Sequence, residues 1–236
     1  MASLTPEEQI GLPVLECQWQ SVAFIHWPVE TSVVQALLPA GLVADEHDGS
    51  AWLTLTPLRM ADVQPPGGLT WPRLSFPEIN FRTYVQAPNG HDGIVFLAIE
   101  ASSELFTKAA RALVGAPYQL GDLSLTEHGG KTTYAGARRD GQGSYLITLR
   151  PGAPIEEPSE RDVWLTGRWR LYTRHMGMLL ETPVEHEPWP LASATVDELH
   201  ETISSLVGLP GPGAEPLIHY AAAVRDVRIG MSRRVG

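Results

Sequence analysis

Tight-turn pairs interrupt this chain too often for a helical protein. Asp48-Gly49, Asn89-Gly90, Gly129-Gly130 and Asp140-Gly141 each stand between short apolar or alternating runs, and such pairs supply the positive-φ residues that short hairpin turns require. With 22 glycines and 20 prolines in 236 residues and no triplet repeat, the chain reverses often. Strands are expected at 19–27, 51–60, 78–87, 93–101, three times within 120–150, and at 164–172, 178–185, 191–197 and 217–229. Asp48-Gly49 is expected to join 42–45 to 51–60 in a hairpin, and Pro65-Pro66-Gly67-Gly68 breaks the chain before a loop carrying Trp71 and Phe76.

Helices are few. Thr31 and Ser32 can cap one that runs to Leu38, where Pro39 and Gly41 stop it. Ser102 or Ser103 begins another, ended by Gly115, whose Leu105, Phe106, Ala109, Ala112 and Leu113 predict one buried stripe. A third, short, lies near 198–207, and the Pro- and Glu-rich stretch 151–160 reads as a surface loop. Many strands with helices only at the margins imply a barrel or sandwich. Residues 1–13 read as a flexible tail and 14–236 as a single domain.

Several function classes drop out. A formal net charge of −10 opposes a sequence-independent hold on nucleic acid or anionic lipid. The N-terminus has no basic segment followed by an apolar one, and the purest apolar run, 94–99, is far shorter than a membrane span. A cytoplasmic location is therefore expected. One cysteine, Cys17, forms no intramolecular disulfide and no multi-cysteine zinc site. Gly129-Gly130-Lys131-Thr132 lacks the first glycine of a phosphate loop. The residues Glu185-His186-Glu187 cannot all face one ion on a strand and read as solvated before Pro188. Neither a metal nor a cofactor is expected.

The run Glu78-Ile79-Asn80-Phe81-Arg82-Thr83-Tyr84-Val85 carries more information, because period two places Glu78, Asn80, Arg82 and Tyr84 on one face. A guanidinium there can hold an anionic substrate and a carboxyl can move a proton. The same alternation also suits a solvent-facing strand with an i,i+2 ion pair.

Five segments in order, Phe24-Ile25-His26-Trp27-Pro28, Leu38-Pro39-Ala40-Gly41-Leu42, Asp48-Gly49-Ser50-Ala51-Trp52, Phe76-Pro77 with the run above, and His186-Glu187-Pro188-Trp189, resemble the uncharacterised bacterial family typified by YqjF over residues 15–229. The chain departs from that pattern at Gly167 and Trp169, where an acidic residue and a tyrosine are more usual. More remotely it is similar to acetoacetate decarboxylase. That resemblance implies a mainly β, antiparallel cone-like β-barrel with peripheral helices and an enclosed small-molecule cavity. It places Glu78 at the decarboxylase's active-site glutamate, and it sets Gly115-Ala116-Pro117-Tyr118-Gln119-Leu120 against its Gly-x-Pro-Lys-Lys-Leu segment. Tyr118 and Gln119 stand where the two lysines belong, which removes the Schiff-base electron sink.

The resulting expectation is a pocket for a carboxylate or carbonyl compound. Glu78 and Tyr118 are its catalytic candidates, and Arg82, Asn80, His26 and Arg168 its binding candidates. His26 reads more readily as a hydrogen-bonded core histidine, and Arg168 also as the partner of an acid. A homo-oligomer is compatible with this pattern. A non-catalytic sensing module and a structural subunit with a side-chain-filled barrel are the alternatives.

Overall fold

Alternation and tight turns build almost the whole chain. In the computed structural model, which describes residues 2–65, 73–213 and 215–235, the elements begin with β1 (Leu15–Val29), α1 (Thr31–Gln35), β2 (Val43–Ala44), β3 (Glu46–His47), β4 (Ser50–Gln64), β5 (Leu74–Gln86), β6 (Asp92–Ala101) and α2 (Glu104–Val114). They continue with β7 (Tyr118–His128), β8 (Lys131–Arg138), β9 (Ser144–Pro154), α3 (Glu160–Thr166), β10 (Arg170–His175), β11 (Met178–Glu185), β12 (Leu191–Glu201), α4 (Ile203–Leu206), β13 (Leu217–Ile229) and β14 (Arg233–Arg234). Asp48-Gly49 and Gly129-Gly130 both hold two successive positive φ angles, the twist-matched hairpin geometry. Met176-Gly177 does the same between β10 and β11 without any turn signature in its sequence. Most of the expected break near Pro66, Gly67 and Gly68, with Trp71, lies outside the described residues.

The strands form one sheet that closes on itself. Following pairings, β6-β7-β8-β9-β12-β13-β1-β4-β5 returns to β6. The inside of this ring is filled by side chains, among them Ala23, Ile25, Leu53, Leu55, Phe81 and Ile147. A second path, β6-β10-β11-β13, spans the opposite face of β1, β4 and β5. Not every pair is antiparallel: α2 carries the chain from β6 to a parallel β7, and β10 meets β6 in parallel.

Four local expectations are corrected. The Asp48-Gly49 hairpin pairs β4 with Glu46 and His47, while Val43 and Ala44 add to β5. Residues 164–166 are helical, because Ser159 and Asp162 form a reciprocal capping box that starts α3. β12 runs on to Glu201, leaving α4 only four residues, and β9 reaches into the expected loop as far as Pro154. Ahead of β1, residues 3–10 make long-range contacts: Trp169 Nε1 donates to Ser3 O at 2.9 Å, Glu7 pairs with Arg170, and Glu185 accepts from the Ile10 amide. No described helix is long and apolar enough to cross a membrane.

Candidate functional site

On β5 the pleat sends Ile79 and Phe81 into the filled ring and Glu78, Asn80 and Arg82 to the other side. There they are 5, 5 and 8% exposed, on a wall of a cavity of about 460 Å3. That volume lies within the ~300–1,000 Å3 range of small-molecule sites. Thr56, Leu58 and Met60 of β4 and Phe24 of β1 continue the wall; α2, β10 and β11 close the space from outside.

Tyr118 reaches the cavity because α2 ends abruptly. Gly115 adopts φ 67°, and a Cβ there would lie 2.6 Å from His175, so the left-handed stop needs glycine. Ala116 and Pro117 then lead into β7, whose first residue pairs with Ile99. The Tyr118 hydroxyl donates to Glu78 Oε2 at 2.9 Å. Burial lifts the Glu78 carboxyl to about 7, against the opposing pull of hydrogen bonds from Tyr118 and Asn80. Burial, with Glu78 nearby, pushes the Tyr118 phenol well up, and the same two causes raise the buried Cys17 thiol. A carboxyl poised near neutrality beside a phenol donor can both take and return a proton.

Among the described residues three arginines line the cavity, and one of them has no acid beside it. Arg168 Nη1 contacts Asp45 and Asp92, each at 2.7 Å, and its guanidinium lies over Trp164 and Tyr84. Arg170 pairs with Glu7 at 2.6 Å and Glu181 at 3.6 Å. Arg82 lies over the Phe24 ring at 5.2 Å, beside the Tyr84 hydroxyl, with no carboxylate at ion-pair distance among the described residues. Burial pulls its pKa down, Tyr84 resists and Arg168 adds to the fall. Buried atoms without a hydrogen-bond partner gather at this cavity: Thr56 Oγ1, Asn80 Oδ1, Arg82 Nε, Arg168 Nη2 and Arg170 Nε. Each unmet donor or acceptor costs about 1–3 kcal/mol, more for a charged group.

The structure therefore brings Glu78, Tyr118, Asn80, Arg82 and Arg168 to one cavity, with Arg168 already neutralised. His26 is not at its surface. It stacks on Phe24 and is completely buried in a polar chain behind it. That chain runs Asp162–His219–His26–Thr54–Tyr84–Leu165, with successive contacts of 3.0, 3.1, 2.8, 2.6 and 2.7 Å. Both ends, a carboxylate and a carbonyl, only accept. The five contacts need five protons, whereas one phenol, one hydroxyl and two neutral imidazoles carry four.

Two cavity residues escape the sequence reading. His186, expected in solvent, is buried among Trp19, Trp169 and Trp189 and lines the cavity, where burial holds it down at about 4. Arg170, the other, has its partners far away in sequence. Both lysines lie outside the cavity: Lys108 pairs with Glu104 on α2 at 2.6 Å, and Lys131 with Asp197 at 2.7 Å.

The closed ring of strands gives this chain a fold similar to that of acetoacetate decarboxylase-like proteins. The fold is similar to the enduracididine biosynthesis enzyme MppR complexed with pyruvate, at TM-score 0.67 and 14% identity over 98% of this chain and 93% of that one. It is similar also to acetoacetate decarboxylase from Legionella pneumophila, at TM-score 0.66 and 12% identity, with 97% and 90% covered. The chain belongs to the DUF2071 family, described as "Uncharacterized conserved protein", which it matches over residues 16–225. It is 32% identical over 220 residues to "Uncharacterized protein YqjF" of Bacillus subtilis strain 168, covering 89% of this chain and 88% of the relative.

Proposed function

We propose that this protein binds a small carboxylate-bearing carbonyl compound in the cavity beside β5 and moves a proton on it without forming a Schiff base. The observation that carries the reading is Arg82, a buried cation with no acid beside it among the described residues, set among other polar atoms that lack a partner there. A carboxylate supplies what these groups lack, since a guanidinium matches it with two parallel hydrogen bonds. Tyr118 then donates to the carbonyl oxygen, and Glu78 takes the proton from the adjacent carbon. The carbon–hydrogen bond breaks, a carbon–carbon double bond forms, and the enolate oxygen rests on the phenol. Return of the proton from Glu78 completes the exchange. Binding of pyruvate by MppR, a structural relative, supports the ligand class.

The test is exchange of α-protons of pyruvate and acetoacetate for solvent deuterium, followed by NMR. Wild type accelerates exchange, Glu78→Gln abolishes the acceleration, and Arg82→Met weakens binding by roughly tenfold or more, the equivalent of about 1.5–3 kcal/mol for a charged hydrogen bond. Binding that ignores Arg82 defeats the site assignment. Exchange at the uncatalysed rate, with binding intact, defeats the catalytic half.

A further inference from the structure

The cavity is polar at one end and apolar at the other, and the unpaired atoms on its floor account for only the first. Glu78, Asn80 and Arg82 are deeply buried, yet Leu113, Met231 and Val14, which line the same space, are 75, 73 and 40% exposed. The sequence predicts α2 with a wholly buried stripe. Instead the stripe divides: Phe106 packs against Phe76 and Tyr118, while Leu105 and Leu113 stay in solvent. Between floor and rim the wall is apolar and stiff. Trp19 stacks on Trp189 at 5.5 Å, Phe24 meets Trp189 edge-on at 4.9 Å, and Leu58, Met60 and Phe96 complete it.

A ligand as small and polar as a short acid satisfies Arg82 and leaves this wall wet. We infer that the natural ligand is an amphipathic monocarboxylate, whose head group sits on Arg82 and whose apolar chain runs past Phe24 and Phe106 to emerge between Leu113 and Met231. This inference rests on the carboxylate reading of Arg82 and adds the chemistry of the remainder of the molecule. The chain desolvates the wall and covers the exposed rim, which is the role a mouth of large apolar side chains suits.

The experiment is calorimetric titration of the intact protein with butyrate, hexanoate, octanoate and decanoate, alongside decanol, and repeated on Arg82→Met and on a Leu113→Gln, Met231→Gln double variant. Burying each methylene is expected to tighten binding about fourfold. Decanol binds far more weakly than decanoate in the wild type, and Arg82→Met removes that advantage. The double variant lowers the ratio of decanoate to butyrate affinity. If all four acids bind equally, and through Arg82, the tail assignment is overturned while the carboxylate site stands. A wild-type gain with chain length that the double variant leaves unchanged overturns the exit route between α2 and Met231. If no acid binds through Arg82 at any length, the proposed function falls, and this inference with it.

Discussion

Glu78→Gln is expected to match the wild type in stability below about pH 4.5, to gain on it progressively between pH 4.5 and 7, and to hold that gain above neutrality. The carboxyl has its pKa raised from 4.5 to about 7 by burial. Between those values the folded chain keeps a proton that the unfolded chain releases, so the unfolded state binds fewer protons and stability falls as pH rises through the window. At ~1.4 kcal/mol per pH unit the penalty grows to about 3 kcal/mol by pH 8. Glutamine is neutral throughout, and its carbonyl still accepts from Tyr118. Urea unfolding followed by tryptophan fluorescence between pH 4.5 and 8 measures the difference between variant and wild type. Glu100, also lifted by burial to about 7 despite Arg138, gives a slope of the same sign in both proteins and cancels. A difference that stays flat with pH, or a glutamine variant that is weaker throughout, would show that Glu78 is an ordinary ionised carboxylate.

Tyr118→Phe removes a hydrogen bond that favours the charged form of Glu78, so the midpoint of that pH profile is expected to move above 7; an unchanged midpoint refutes the coupling. Acetoacetate with borohydride is expected to leave no stoichiometric adduct by mass spectrometry, since both lysines lie outside the cavity; a full adduct on Lys108 or Lys131 contradicts this. The His26–His219 pair is expected to take up one proton on acidification. Burial disfavours the charged form of both imidazoles, with Arg82 adding to the effect at His26 and Arg161 at His219, while Asp162 favours a proton on His219. Imidazole nitrogen NMR checks the count, and two protons or none would break the bookkeeping of the chain. Ser159→Ala is expected to cost about 1 kcal/mol by removing the cap of α3, read from the urea midpoint.

What the sequence displays and what it conceals divide along range of interaction. The alternation 78–85 identifies one wall of the cavity because side-chain direction on a strand is set by the residue's own backbone. The turns at Asp48-Gly49 and Gly129-Gly130 are legible for the same local reason, although the strand that Asp48-Gly49 pairs with β4 is not. The capping box Ser159 with Asp162 was equally local, and the prolines before it obscured a signal that was present. By contrast, His186 is buried only because Trp19, Trp169 and Trp189 converge from different segments, and Arg170 tolerates burial only with Glu7 and Glu181 beside it. No periodicity announces such meetings. The apolar spacing of α2 was genuine, but spacing cannot tell a face packed on the core from one that borders an opening.

The two faces of β1, β4 and β5 explain how the chain sustains a cavity that is energetically unfavourable on its own. One face supplies Ala23, Ile25, Leu53, Leu55, Ile79 and Phe81 to a ring that is packed solid. The other presents Thr56, Asn80 and Arg82 with unpaired atoms. Because the pleat alternates strictly, sliding β5 by a single residue would drive Glu78 and Arg82 into the apolar ring and expose Ile79 and Phe81 to the cavity. The packed face therefore fixes the register, and the register holds Arg82 and Glu78 in the cavity despite the cost of burying them. Under the proposed function the same arrangement supplies proton chemistry in a cavity that no described lysine lines. Tyr118 keeps a donor at the start of β7, hydrogen-bonded to a carboxyl that burial has poised near pH 7. A carbonyl held there is activated by proton transfer rather than by imine formation.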